Sequence, residues 1–96
     1  MSLTTTRNLR QHMQQIEAHN LVPVLNVAHD KIENYRYLQL LALNKDSMEY
    51  DEMFSCAIHT SDGQSVKKVA SKKTLFGFAK KYGFKPDNIV VNGMIF

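Results

Sequence analysis

The stretch Ser71-Lys72-Lys73-Thr74-Leu75-Phe76-Gly77-Phe78-Ala79-Lys80-Lys81-Tyr82-Gly83 constrains the fold more than any other part of the chain. It reads as a short helix with a capping residue in front and a glycine behind. Ser71 is a good N-cap, because its hydroxyl can accept from the first free backbone N–H groups, and Gly83 is a good C-terminal stop. Leu75, Phe78, Ala79 and Tyr82 recur at i, i+3, i+4 and i+7, which makes one apolar face. Lys73 and Lys80 fall on the opposite side, and Lys72 sits at the helix entry. One face therefore packs, while the first turn sets lysines beside unpaired backbone N–H groups, an arrangement that attracts phosphate.

The rest of the chain divides around this helix. Residues 4–20 read as helical: Leu9, Met13 and Ile16 form one narrow stripe, the remainder is polar, and the threonines before Arg7 can cap it. So thin a stripe predicts a peripheral helix laid on the domain or an arm offered to a partner. Asn20 and Pro23 end it. Residues 21–33 support two readings. Val22, Val24 and Val27 favour a strand. Pro23 suits the first position of a helix, and Leu25, Ala28 and Ile32 keep helical spacing. Residues 35–43 read as a strand, and Asn44 to Glu52 as a polar, acidic loop. Residues 53–60 alternate, with Phe54, Cys56 and Ile58 on one face and Ser55, Ala57 and His59 on the other. Asp62-Gly63 signals a hairpin turn, and Ser65 to Ala70 returns as a third strand. After Gly83, Lys85-Pro86-Asp87-Asn88 reads as a turn. Ile89 to Phe96 ends the chain as one strand or as a short hairpin about Asn92-Gly93.

Charge is distributed unevenly along these segments. Residues 30–62 carry seven acidic side chains against Lys31, Arg36 and Lys45. Residues 63–96 carry seven lysines against Asp87, so the net charge of +3 conceals a basic last third. Such asymmetry fits one surface for an anion and another for something else, and equally an ordinary solvated surface. With 96 residues the chain makes one domain, 1–96. Its apolar runs are too short for a membrane span, and no apolar segment follows the first residues, so an intracellular location, cytoplasm or nucleus, is expected. The lone Cys56 agrees with a reducing compartment.

One string is specific: Phe54-x-Cys56-x-Ile58, then Asp62-Gly63-Gln64-x-Val66, then Ala70-Ser71-Lys72-Lys73. It resembles the second half of a double-stranded-RNA-binding domain, in which a strand, a glycine turn and a strand lead into a Ser-Lys-Lys element opening the last helix. In the earlier part, Pro23-Val24-x-Asn26 looks like the start of that family's first helix, and 35–43 like its first strand. The resemblance covers about residues 22–83 and leaves out the helix at 4–20 and the extension at 84–96. It implies an α+β fold, α-β-β-β-α, with a three-stranded antiparallel sheet packed on helices, plus the N-terminal helix and the C-terminal strand or hairpin. It also implies RNA contacts through Ser71, Lys72 and Lys73, with Lys67, Lys68 and Lys80 extending the patch. The chain departs from the family's pattern at Leu75, where alanine is usual, and at Phe76, where the third lysine stands. The 44–52 loop has neither the Pro nor the His of the family's groove-reading loop, and the first helix's glutamate position falls near Val27. Reduced RNA affinity follows.

The leading expectation is a non-catalytic module that contacts duplex or structured RNA, with no cofactor. The alternative is a protein-interaction or dimerisation domain, using the 4–20 helix, Phe76 or the apolar end Met94-Ile95-Phe96. A small phage or viral regulator of a host protein is a third. Neither a Gly-rich phosphate loop, nor a nucleophile elbow, nor an acid–base pair stands out, so no enzyme is expected. His12 and His19 are seven apart and would share a helix face, so a four-histidine metal site with His29 and His59 is conceivable, but no spacing is diagnostic and surface histidines are far commoner. Asp46, Glu49, Asp51 and Glu52 lack the glycine and spacing of a calcium loop. Cys56, alternating with Phe54 and Ile58, reads as a core residue.

Overall fold

In the computed structural model, which describes residues 3–91, the order is β1 (Leu3–Thr5), α1 (Leu9–Ala18), β2 (Val22–Asp30), β3 (Tyr35–Asn44), β4 (Glu49–Tyr50), β5 (Cys56–His59), α2 (Lys72–Tyr82) and β6 (Ile89–Val91), with a 3-10 turn at Pro86–Asn88 before β6. The class is α+β, as the sequence implies, but the sheet is not a three-stranded antiparallel one. It has six strands in the order β1-β5-β3-β2-β6, with β4 paired to β3. β1 runs parallel to β5 and β6 parallel to β2, while β3 is antiparallel to both of its long neighbours. The mixed pattern follows from the connections. α1 joins β1 to β2, and α2 lies between β5 and β6, and a helix crossing the face returns the chain in the direction it left.

Both helices cover one face. Leu25 and Val27 of β2, Leu38, Leu40 and Ala42 of β3, and Cys56 and Ile58 of β5 form a single core with Leu9, Met13 and Ile16 of α1 and Leu75, Phe78 and Ala79 of α2. This corrects the reading of 4–20 as a peripheral helix or free arm. Leu9 is 0% and Ile16 1% exposed. Three apolar residues suffice because the helix has only ten, about 15 Å of length. It is shorter than expected because Thr4 and Thr5 belong to β1: β-branched residues suit a strand, and Thr4 is buried there. Thr5 nevertheless helps the helix start, as its hydroxyl accepts from the Asn8 N–H at 3.4 Å.

Residues 22–30 resolve as a strand, which corrects the placing of a first helix at Pro23-Val24-x-Asn26. Pro23 is tolerated because β6 pairs with β2 only from Leu25 onwards, so that side has no ladder for proline to break at Pro23. The strand is buried on both faces: Val24, Asn26 and Ala28 point away from the helices and are buried too. On that second face the Asn26 amide donates to Gln39 Oε1 at 2.8 Å, which satisfies an otherwise costly buried group.

The acidic segment is not wholly loop. Asn44 Oδ1 accepts from the N–H groups of Asp46 and Ser47, Met48 takes a positive φ, and Glu49–Tyr50 returns against β3. The expected strand over 53–60 is reduced to Cys56–His59, because Asp51 draws Met53 and Ser55 into a turn. The expected third strand over 65–70 is replaced by isolated bridges, His59 to Val66 and Tyr37 to Lys68. Lys67 donates to the Ile58 carbonyl and accepts from the Leu38 N–H, so this return segment wedges between β5 and β3 where they part.

The turn at Asp62-Gly63 forms as expected. Gly63 has φ 75°, and Asp62 Oδ1 accepts from the Thr60 hydroxyl at 2.6 Å and the Gln64 N–H at 3.0 Å. The Thr60 bond first, then that from Gln64, holds the Asp62 carboxyl below its ordinary range. Asp30 is lowered likewise, by the Glu33 and Ile32 N–H groups at the β2–β3 turn. Both folded values lie below the unfolded ones. The stabilisation they carry is therefore present above the ordinary carboxylate range and lost as pH falls through the lowered values. The urea midpoint should drop on acidification through this window, and less in Asp30→Ala/Asp62→Ala; equal drops would refute the assignment.

Two glycines of one helix should respond oppositely to alanine. Gly83 ends α2 at φ 88°, where a Cβ is strained. Gly77 lies mid-helix, and a Cβ there would meet nothing within 4 Å. Gly83→Ala should lower stability by about 1 kcal/mol and Gly77→Ala raise it by about as much. Thermal unfolding should separate them in sign, each by about 4–8 °C.

Candidate nucleic-acid interface

α2 begins beside the start of β3, where Val69 donates to the Arg36 carbonyl. Ser71 is extended, and its hydroxyl accepts from the Thr74 N–H at 3.2 Å. That bond uses one of the four free N–H groups of the first turn and leaves those of Lys72 and Lys73 turned outward. The apolar face goes to the core as expected: Leu75, Phe78 and Ala79 are buried and Tyr82 packs against them. At 100° per residue, Lys73, Phe76, Gly77 and Lys80 then share the outward side, with Lys72 and Lys81 on its flanks. All six are exposed. Phe76 is 51% exposed. The lysines of the last turn, Lys80 and Lys81, also complement the negative end of the helix dipole, a role that needs no ligand. Arg10 reaches across from α1, donates to the Lys81 carbonyl and lies over the Tyr82 ring, which fixes this end of the helix.

Of the lysines expected to extend the patch, Lys80 joins Lys73 about 10 Å further along the axis. Lys67 is half-buried in the wedge between β5 and β3. Lys68 pairs with Tyr37, whose side chain lies on the sheet face opposite the helices, and its ammonium sits 4.4 Å from the Tyr35 ring centroid. Lys68 therefore stands apart from the α2 lysines. Around it, Asn34, Tyr35, Arg36, Val69 and Ala70 line a groove. Sequence reasoning missed that grouping, because residues 35 and 68 meet only through the wedge and no local spacing signals it.

The other candidate groups do not assemble. Among the described residues no group of three or more His, Cys, Asp or Glu side chains could hold a metal ion. His19 packs against Phe54 with the rings tilted and their centroids 4.6 Å apart, and His29 bonds Asn34. Cys56 is buried in the core, and burial pushes its thiol pKa up, away from a reactive thiolate. Among the described residues no helix is long and apolar enough to cross a membrane. The expected contacts of Met94-Ile95-Phe96 and the Asn92-Gly93 turn lie outside the described residues.

Comparison with known proteins gives no match: no family model, no curated protein and no solved structure matches the chain.

Proposed function

We propose that the chain is a non-catalytic binding module that holds the phosphates of structured RNA, duplex RNA first, along the outward face of α2. The observation that carries this reading is the row Lys72, Lys73 and Lys80 on a capped helix, exposed and without a carboxylate partner among the described residues. Backbone N–H groups at the helix start add to the attraction for an anion. Duplex RNA is the first candidate because the sequence from Asp62-Gly63 to Ser71-Lys72-Lys73 resembles the end of a double-stranded-RNA-binding domain. A duplex, moreover, is recognised largely through its backbone and shape. The acidic segment is not beside the helix start. It follows the far end of β3, roughly 25 Å along the strand from Arg36, so its repulsion of an anion at the helix start is weakened by distance and salt.

The test is titration of the protein with duplex RNA, duplex DNA and single-stranded RNA at low and moderate salt, with Lys72→Ala/Lys73→Ala alongside. Loss of affinity in the double variant is expected; parent-like binding of duplex RNA would falsify the site. A second reading, contact with a protein partner or a second copy, is favoured by the acidic segment. There Met48 and Tyr50 are exposed beside Asp46 and Glu49, with Met53 exposed next to Glu52. Adaptable methionines among acids suit a basic protein surface. A monomer in sedimentation at every concentration, with no affinity for basic peptides, counts against it.

A further inference from the structure

The geometry points to a more specific ligand for the α2 face, one that rests on the RNA reading: an unpaired nucleobase, stacked on the Phe76 ring above the gap left by Gly77. Three observations converge. Phe76 is 51% exposed on the outward side of a helix whose core face is already complete with Leu75, Phe78 and Ala79. Its neighbours on that side are lysines, Lys72 and Lys73 one turn before it and Lys80 one turn after. Gly77, next to it, has open space where a side chain would stand. Glycine inside a helix is unfavourable, and nothing in the fold requires this one. Without a Cβ at this position, a flat ligand can approach the helix backbone closely.

These features distinguish a base from a phosphate alone. Phosphates are held by the lysines and gain nothing from a phenyl ring. Bases inside a duplex are already stacked on one another. A base in a single strand, a loop or a bulge offers a free π-face, and aromatic side chains in a basic track bind such bases with little regard to sequence. The α2 face has this composition, with charge complementary to the backbone on either side of the ring. The class of ligand is then RNA with unpaired nucleotides, such as a hairpin loop or a single-stranded segment beside a duplex.

The experiment compares a fluorescein-labelled blunt RNA duplex, an RNA hairpin with an unpaired loop and an unstructured oligouridine, titrated with the parent, Phe76→Ala, Gly77→Leu and Lys72→Ala/Lys73→Ala. Phe76→Ala should weaken the hairpin and the oligouridine by about 5- to 150-fold while leaving the salt dependence at the parent's slope, because no cation is lost. Gly77→Leu should weaken the same two ligands while raising the melting temperature, so lost binding cannot be ascribed to unfolding. Parent-like affinity of either variant for both unpaired ligands overturns the proposal. If the lysine variant alone loses affinity, the phosphate reading stands and the stacked base falls. Parent-like binding by the lysine variant removes the reading on which this one rests. A parent that binds neither unpaired ligand overturns the proposal, and loss of self-association in Phe76→Ala would then assign the ring to a protein contact.

Discussion

Leu9→Ala is expected to destabilise the protein by about 2–5 kcal/mol, a large share of what a domain of this size possesses. Leu9 has no exposed surface and lies in the same core as Ile58 and Leu75. Removing its branched end leaves a cavity that close-packed neighbours fill only in part. If α1 were an arm reaching into solvent, the same change would move stability by no more than about 0.5 kcal/mol. Urea unfolding followed by circular dichroism distinguishes the two, with Gln14→Ala on the exposed side of α1 as the control expected near zero. A loss below about 0.5 kcal/mol for Leu9→Ala would refute the placing of α1 in the core. Ile16→Ala should behave similarly, but the two sites share one core and their effects need not add.

The second large effect is on binding. If about four lysines of α2 each neutralise one phosphate of an RNA duplex, the affinity should fall with salt at a log–log slope of about −3.6. Between 50 and 200 mM salt that is a loss of about 150-fold. Lys72→Ala/Lys73→Ala should flatten the slope by about 2. Lys68→Ala should leave it nearly unchanged, since Lys68 faces the other side of the sheet and sits over Tyr35. Fluorescence anisotropy at four or five salt concentrations measures all three. A slope in the double variant equal to the parent's, or a Lys68→Ala effect as large as that of Lys72 and Lys73, would place the backbone elsewhere.

What was legible in the sequence was what is decided locally. α2 runs from its Ser71 cap to its Gly83 stop with the expected residues inward, because cap, stop and spacing all lie within thirteen consecutive positions. The strand at 35–43 and the turn at Asp62-Gly63 are also set by short-range preference. What could not be read depends on partners distant in sequence. Residues 22–30 carry both strand and helix signals, and β3 on one side with β6 on the other decides for the strand. A stripe of three residues on α1 says how wide its apolar face is, not how completely the sheet covers it. Parallel pairing of the edge strands is invisible to any local pattern. At the candidate site, Lys73 and Lys80 were legible as the side turned away from the core. The separation of Lys68 from them was not, because it follows from the wedge between β5 and β3.

The placement of the edge strands also sets an order of assembly. β2 and β3 meet across a short turn, so their nine paired positions can zip early at little loss of chain entropy. β1 cannot pair until residues near 57 arrive for residue 3, and β6 must wait for α2 to cross before residue 89 reaches residue 25. The sheet therefore grows from its middle outward and closes its two margins last. During synthesis, β1 emerges well before β5 and stays without that partner until the residues between Thr5 and Cys56 have followed.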